Sequence, residues 1–155
     1  MNLIKKFKQP STVKLLFNLY PPYIGAGIKI PYISDDWYEL KSTMKFRWYN
    51  RNAVGTQFGG SLYSMIDPHI MMMLSNILGQ KYYVWDQSAH IKYVKATKED
   101  VTCTIKISEE DIQIIHDKIS NGEKYLHDFH LEIRDHSNLI AQITKTIYIK
   151  KKPNK

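Results

Sequence analysis

The chain has 155 residues, a net charge of +7 and a single cysteine, Cys103. This length indicates one domain (1–155) with a proper core, and one cysteine excludes an internal disulfide and fits a reducing cytoplasm. The lysines are spread out except in a basic tail at 150–155, and no nucleic-acid-binding motif or signal-peptide pattern accompanies them. We therefore expect a cytoplasmic protein that does not bind nucleic acid.

The first segment with a helical pattern lies at residues 11–20. Its leucines form a stripe with helical spacing, Ser11 stands where a capping residue is expected, and Pro21-Pro22 end the pattern. We therefore predict a helical extension over residues 1–22 in front of the main domain.

Two strands are predicted next. Residues 27–33 form an apolar run in which Pro31 indicates a sheet edge or a bulge, because proline cannot donate to a strand ladder. Residues 38–48 alternate between apolar and charged side chains, which is typical of a half-buried strand. The predicted apolar face of this second strand consists of Tyr38, Leu40, Met44, Phe46 and Trp48.

Residues 55–78 form the longest helical pattern, and it is apolar on nearly every side. Such a helix must be wrapped by other structure or lie in a membrane, and Asp67 in its middle argues against a membrane span. Pro68 removes a helical hydrogen bond and predicts a kink beside this carboxylate. Two explanations stay open: the kink fits the helix to a curved sheet while Asp67 caps or pairs with a neighbour, or Asp67 is functional.

The second half of the chain is dominated by strand patterns. Apolar residues alternate at 82–94, 101–107, 125–133 and 139–150, and a hairpin at 135–138 joins the last two segments. In the first of these segments the residues in phase are Tyr83, Trp85, Ala89, Ile91 and Tyr93.

One segment between these strands is ambiguous. Residues 108–118 begin like a capped helix at Ser108, but their isoleucines also suit a strand. With either assignment, the order of the elements predicts an α+β fold in which one antiparallel sheet wraps around one long central helix.

The loop in front of this helix carries a motif. It reads Asn52-Ala-Val-Gly55-Thr-Gln-Phe58-Gly59-Gly60, followed by Asp67. The pattern resembles the signature of hot-dog-fold thioesterases, particularly the phenylacetic-acid-degradation type, in which Asn, Gly, His-Gly-Gly and Asp have this spacing. The continuation Gly-Gly-Ser-Leu-Tyr, Asp-Pro and Val84-Trp-Asp86 resembles an uncharacterised thioesterase-like branch. The resemblance covers about residues 25–150, with one departure: Phe58 replaces the histidine of the motif.

This resemblance implies a hot-dog fold, an acyl-CoA thioesterase activity and a homodimer or homotetramer. Asp67 is then the general base or nucleophile, and the backbone N–H groups of Gly59 and Gly60 stabilise the oxyanion. The assignment assumes an Asp67 that is buried and has no cation partner in the chain. The residues that the motif implies for substrate binding are Asn52, Gln57, Phe58, Gly55 and Tyr63. A coenzyme A thioester is the expected substrate, and no cofactor or metal is expected.

An alternative function is a non-catalytic hot-dog module that binds an acyl group or a partner. It depends on Phe58, which can pack against an acyl chain but cannot polarise a carbonyl. A hot-dog dehydratase is a weaker third hypothesis, because no Asp–His or His–Glu pair is evident.

The remaining candidates favour structural roles. His127 and His130 point to opposite faces of a strand, which argues against a metal site. His69 and His90 are expected in the core or an interface, and Cys103 in the core. Two groups of residues are candidates for binding. Three lysines could meet the phosphates of coenzyme A or form a solvated strand end, and four aromatic residues favour an interface. These groups are Lys92, Lys95 and Lys98, and Tyr82, Tyr83, Trp85 and Tyr93.

Overall fold

The computed structural model describes residues 9–153. The described helices and strands are α1 (Pro10–Asn18), α2 (Pro21–Ala26), β1 (Ile28–Ile33), β2 (Glu39–Met44), α3 (Gly59–Ser64), α4 (His69–Leu78), β3 (Tyr82–Tyr93), β4 (Val101–Lys106), α5 (Glu109–Lys118), β5 (Tyr125–Arg134) and β6 (Leu139–Lys151). Among these residues, no helix is both long and apolar enough to cross a bilayer.

The six strands form one antiparallel sheet in the order β1-β2-β4-β5-β6-β3. Strands β4, β5 and β6 alternate between buried and exposed side chains, so that one face of the sheet is apolar and lines the core. The four strand segments predicted around residues 27–33, 101–107, 125–133 and 139–150 are confirmed. Pro31 lies in the edge strand β1, where the register shifts between Lys29 and Tyr32, as the sequence predicted.

The predicted central helix is buried as expected but is two helices instead of one. Met65, Ile70 and Leu74 are inaccessible to solvent, which confirms that the sheet wraps around this segment. The kink predicted beside Pro68 is a complete break in this segment, because α3 ends at Ser64 and α4 begins at His69. Proline lacks an N–H donor, and its ring clashes with the preceding turn of a continuous helix. The chain is therefore irregular immediately before Pro68, whose peptide bond is cis.

The N-terminal helix differs from its prediction at both ends. It begins at Pro10, and the predicted cap Ser11 already lies inside it. Pro21 and Pro22 follow the end of α1, but they also start α2, because proline fits the first turn of a helix, where no N–H acceptor is required. Val13 and Tyr23 are buried and anchor the two helices on the domain.

Strand β2 is shorter than predicted, so Phe46 and Trp48 lie beyond its end and are not part of its apolar face. The strand ends at Met44, and the backbone N–H of Phe46 donates to the Asp100 carboxylate (2.8 Å) instead of continuing the ladder. The Asn50 side chain then accepts from the Arg47 N–H (2.8 Å) and turns the chain. Trp48, beyond the strand end, is 79% exposed.

Strand β3 is confirmed, but its predicted phase is wrong in the first half. The register with β6 shifts between Asp86 and Ser88, which leaves Gln87 as an extra residue. Such a bulge moves the preceding residues to the opposite face. Consequently Asp86 pairs with the inward-facing Ile147, whereas Trp85 points outward.

The ambiguous segment is a helix, α5. Its first turn is closed by a capping box: the Ser108 hydroxyl accepts from the Asp111 N–H (3.0 Å), and the Asp111 carboxylate accepts from the Ser108 N–H (2.8 Å). These reciprocal bonds satisfy two donors at the helix start and favour the helix over the strand.

Candidate functional site

The loop that carries the motif is shaped by Asn52. Its carboxamide oxygen accepts from the N–H groups of Val54 (3.1 Å) and Thr56 (3.0 Å), and its nitrogen donates to the Thr56 hydroxyl (2.9 Å). Gly55 completes the turn with a φ of +80°, a conformation that glycine adopts without steric cost. Asn52 and Gly55 thus build the loop in front of α3.

Gln57 and Phe58 point in opposite directions. The Gln57 side chain is buried and its nitrogen donates to the Glu99 carbonyl (3.0 Å), which ties the loop to the segment before β4. Phe58 is 53% exposed, at a cleft of about 250 Å³. That cleft is lined by Gly25, Ala26, Tyr49, Asn50, Arg51, Phe58 and Ser61.

Gly59 and Gly60 begin α3, and an aromatic ring covers each of them. A Cβ on Gly59 would lie 3.2 Å from the Tyr93 ring, and one on Gly60 would lie 2.7 Å from the Phe58 ring. The Tyr93 hydroxyl also donates to the Gly59 carbonyl (3.0 Å). Among residues 9–153, no acceptor is bonded to the N–H groups of these two glycines, as is usual at a helix start.

Asp67 lies in the irregular segment between α3 and α4, and its carboxylate has a cation partner. The Lys145 ammonium is 2.5 Å from its Oδ1, and the Tyr63 hydroxyl is 3.5 Å from the same atom. The Asp67 side chain is 42% exposed. The expectation of a buried, unpaired carboxylate is therefore wrong: the helix break brings Asp67 to the surface, and β6 supplies its counter-ion.

Lys145 is the centre of a cluster of polar side chains that also contains Asp67, Asp86 and Tyr63. Its side chain is only 1% exposed, and its ammonium contacts the carboxylates of Asp67 and Asp86 (3.3 Å) and the Tyr63 hydroxyl (3.3 Å). Burial lowers the pKa of Lys145, but the hydrogen bond to Asp67 and the charges of Asp86 and Asp67 outweigh it, and the pKa lies above its usual range. Lys145 is therefore a fixed positive charge between two carboxylates.

Asp86 differs from Asp67 in its environment. Burial raises the pKa of Asp86, and the Lys145 ammonium opposes this effect. One ammonium thus serves two carboxylates, so the cluster carries one excess negative charge when both are ionised.

Neither Lys145 nor Asp86 is among the site residues predicted from the sequence. A signal for Lys145 existed: on β6 the residues at positions 141, 143, 147 and 149 are inward-facing and apolar, and Lys145 is the charged member of that series. No comparable signal existed for Asp86, because the bulge at Gln87 reverses its face. Of the residues predicted to bind substrate, Tyr63 is the one whose side chain joins Asp67 and Lys145.

Behind Asp67 lies a second, fully buried group. The Tyr23 hydroxyl donates to the Asp67 carbonyl (2.5 Å) and lies 3.2 Å from Nε2 of His69, which is inaccessible to solvent. The Phe17 ring contacts His69 edge-on at 5.2 Å between centroids. Burial raises the pKa of Tyr23, and the charge of Asp67 adds to it. His69 is thus the core histidine that the sequence predicted.

His69 makes the stability of the fold depend on pH. Burial lowers its pKa from 6.5 to about 4, partly offset by Asp67 and the Met65 carbonyl. Between pH 6.5 and 4 the imidazole of residue 69 is protonated in the unfolded chain but neutral in the folded chain. The contribution of His69 to stability is therefore fully present above pH 6.5 and is lost as the pH falls to 4. We expect a loss of about 3 kcal/mol in the free energy of unfolding, measured by urea titration.

The matched comparison is His69→Gln, which removes the titrating group. Other histidines and carboxylates titrate in both proteins, so the difference between the two pH profiles isolates His69. Parallel profiles between pH 6.5 and 4 would contradict the assignment.

The other candidates have structural environments. His127 is buried beside Asp111 of α5, with 3.0 Å between Nε2 and Oδ1, whereas His130 lies on the exposed side of β5. Burial raises the pKa of the Cys103 thiol to about 12, which fits a core residue. His90 is exposed on β3, so its placement in the core is wrong, and an interface remains a prediction.

Known proteins share this architecture. Residues 10–149 match the family model described as Domain of unknown function (DUF4442). No curated protein matches the chain in sequence. A Pseudomonas aeruginosa protein of unknown function, described as a probable thioesterase, superposes with a TM-score of 0.78 at 12% identity, over 94% of this chain and 99% of that one.

Two further solved structures agree with this fold. A Haemophilus influenzae thioesterase has a TM-score of 0.66 at 13% identity, over 92% of this chain and 91% of its own. A variant of the phenylacetic acid degradation protein from Thermus thermophilus has a TM-score of 0.57 at 18% identity, over 83% of this chain and 98% of its own. The chain therefore belongs to the DUF4442 family and has the hot-dog fold of thioesterase-like proteins.

Proposed function

We propose that this protein hydrolyses an acyl thioester of coenzyme A, with Asp67 as the residue that activates the attacking water. The observation that carries the proposal is the Asp67 carboxylate, which is solvent-accessible at a break in the central helix and is held by the buried Lys145 (2.5 Å). A carboxylate that is fixed in position and open to water meets the geometric requirement for a general base, which must lie within hydrogen-bond reach of the water it activates.

In the proposed reaction, a water molecule gives its proton to Asp67 as its oxygen attacks the thioester carbonyl carbon. The carbonyl oxygen becomes an oxyanion, which the N–H groups of Gly59 and Gly60 stabilise. The C–S bond then breaks, Asp67 returns the proton to the leaving thiolate, and the acid and the free thiol depart. The reaction consumes one water and needs no metal or organic cofactor.

The loop residues receive supporting roles in this proposal. Asn52, Gly55 and Gln57 hold the loop so that Gly59 and Gly60 begin α3 in a fixed position. Phe58 offers an apolar surface for the acyl chain at the edge of its cleft. Tyr63 supports the Asp67–Lys145 pair through its hydroxyl.

A second candidate function is an acyl-binding module without catalysis. Phe58 favours it, because its phenyl ring stands where the motif of the hot-dog thioesterases has a histidine. A phenyl ring cannot polarise the carbonyl. The ion pair between Asp67 and Lys145 is compatible with this function, since it also stabilises the helix break.

The experiment is a hydrolysis screen over coenzyme A thioesters of increasing acyl chain length, following release of the free thiol. Hydrolysis by the wild type that falls by about 10²-fold or more in Asp67→Asn supports the enzyme. Saturable binding of an acyl-CoA with no thiol release by the wild type would overturn hydrolysis in favour of the binding module.

We further propose that the protein forms a cytoplasmic homodimer, or a tetramer built from two such dimers, through the free edge of β3. This edge strand is twelve residues long, and Tyr83, Trp85 and Tyr93 on it are exposed. Long unpaired edges are normally covered, and aromatic residues are enriched in interfaces.

We expect a mass of at least two chains by sedimentation at micromolar concentration. Trp85→Glu should weaken the association, because it buries a charge in the interface. Trp48→Glu is the matched control, since Trp48 is also exposed but lies outside the sheet. A monomeric wild type would refute the dimer.

A further inference from the structure

Helices α1 and α2 present apolar side chains to solvent. Leu15, Leu19 and Ile24 are 58%, 62% and 50% exposed, and Leu16 and Tyr20 are exposed as well. We call these five residues the N-terminal apolar face. Single exposed apolar residues are normal on proteins, but five within the ten positions 15–24, in α1, α2 and the turn between them, are a concentration of the kind that marks an interaction site.

The N-terminal part of the sequence carries charge of one sign. Residues 1–34 contain five lysines and no aspartate or glutamate, although the whole chain has 15 acidic residues. Two of these lysines lie in the described elements: Lys14 in α1 and Lys29 in the adjoining β1, where the Lys29 ammonium reaches the Asn18 carbonyl at the end of α1 (3.4 Å). Exposed apolar side chains with lysines in α1 and the adjoining β1 complement an anionic lipid surface, which offers acyl chains beneath phosphate groups.

The opposite side of the two helices is fixed to the domain. Val13 and Tyr23 are buried, Phe17 packs on Tyr23 and His69, and the Asn18 side chain bonds both backbone polar groups of Ile30 (2.9 and 3.0 Å). The apolar face is therefore a preformed surface that needs no folding upon binding, which reduces the entropic cost of docking.

We propose that the N-terminal apolar face docks the protein on the surface of a bilayer that contains anionic lipids, without crossing it. The face adjoins β1, at the edge of the sheet opposite to β3. Membrane docking and pairing through β3 are therefore compatible. This inference does not depend on the proposed hydrolysis, and a failure of either leaves the other intact.

The test is co-sedimentation of the full chain with vesicles of phosphatidylcholine alone or mixed with phosphatidylglycerol. We expect binding to the mixed vesicles that weakens with added salt. The double variant Leu15→Gln/Leu19→Gln should lower the partition coefficient about tenfold or more, because it withdraws two apolar side chains from the interface. Lys14→Glu/Lys29→Glu should weaken binding to the mixed vesicles only.

The matched control is Leu126→Gln/Val94→Gln, since both residues are exposed apolar side chains elsewhere on the domain. It should bind like the wild type, and circular dichroism checks that each variant is folded. Absence of wild-type binding to mixed vesicles would overturn the proposal, as would undiminished binding of the leucine variant. A fall in the solution mass of the leucine variant, without an effect on vesicle binding, would assign the face to a second copy of the chain instead.

Discussion

Asp67→Asn should lower the hydrolysis rate by about 10²-fold or more, the usual effect of losing a positioned acid–base group. The amide retains the shape of the side chain and can still accept a hydrogen bond from Lys145, but it cannot take a proton from water. Substrate binding should change little, because Asp67 is assigned to water and not to the acyl group. The measurement is steady-state thiol release, with the acyl-CoA affinity determined separately by calorimetry.

A structural role of Asp67 gives a different result. Loss of the Lys145 pair lowers the free energy of unfolding by about 1–3 kcal/mol with either role, but with a purely structural role the folded fraction keeps its activity. Asp128→Asn is the matched control, because Asp128 is an exposed carboxylate on β5 that bonds Thr146 and has no part in the cluster. A folded Asp67→Asn protein with wild-type turnover would exclude Asp67 from the mechanism.

The strands could be predicted because their signal is local. In β4, and in β6 from Ala141 to Ile149, every second residue is buried, so apolar alternation in the sequence appears directly as burial. The capping box of α5 is similarly contained in four residues. The prediction of which β3 residues face inward was wrong before Gln87, because it relied on the same alternation. One extra residue at Gln87 reverses the alternation, and nothing in the local composition indicates it.

The candidate site was harder to predict, because its contacts join distant parts of the chain. Asp67 and Lys145 are 78 residues apart, and only the sheet order brings β6 beneath the helix break. The sequence indicated the importance of Asp67 but supplied no partner for it. Likewise, the Gly59–Gly60 pair could be found from the motif, whereas the rings that cover it come from Phe58 and from the end of β3.

The ion pair with Lys145 also explains how Asp67 is held in place at a helix break. Pro68 prevents a continuous helix, so the N–H groups of Ile66 and Asp67 do not make the regular bonds to the carbonyls four residues earlier. Two contacts replace them: the Tyr23 hydroxyl holds the Asp67 carbonyl, and the Lys145 ammonium holds its carboxylate. The proline that breaks the helix and the buried lysine therefore act together to fix one carboxylate at the surface.

Lys145→Met should destabilise the fold by about 3 kcal/mol, the lower end of the range for breaking a buried ion pair by removing one partner. Methionine fills a similar volume, so the cost comes from the two carboxylates that lose their counter-ion. The lower end applies because the Asp67 and Asp86 side chains are 42% and 28% exposed and keep some hydration. Urea unfolding at neutral pH measures the loss, and hydrolysis by the folded protein should fall as well, since Asp67 is no longer held.

Two further variants separate charge from packing. Lys145→Arg keeps the positive charge and should retain more stability than Lys145→Met. Asp86→Asn added to Lys145→Met removes one unpaired carboxylate, and because the three groups share one cluster the double variant should be more stable than the sum of the single effects predicts. Additive effects in this cycle, or a Lys145→Met protein as stable as the wild type, would show that the ammonium does not hold the two carboxylates and that Asp67 is positioned by the backbone alone.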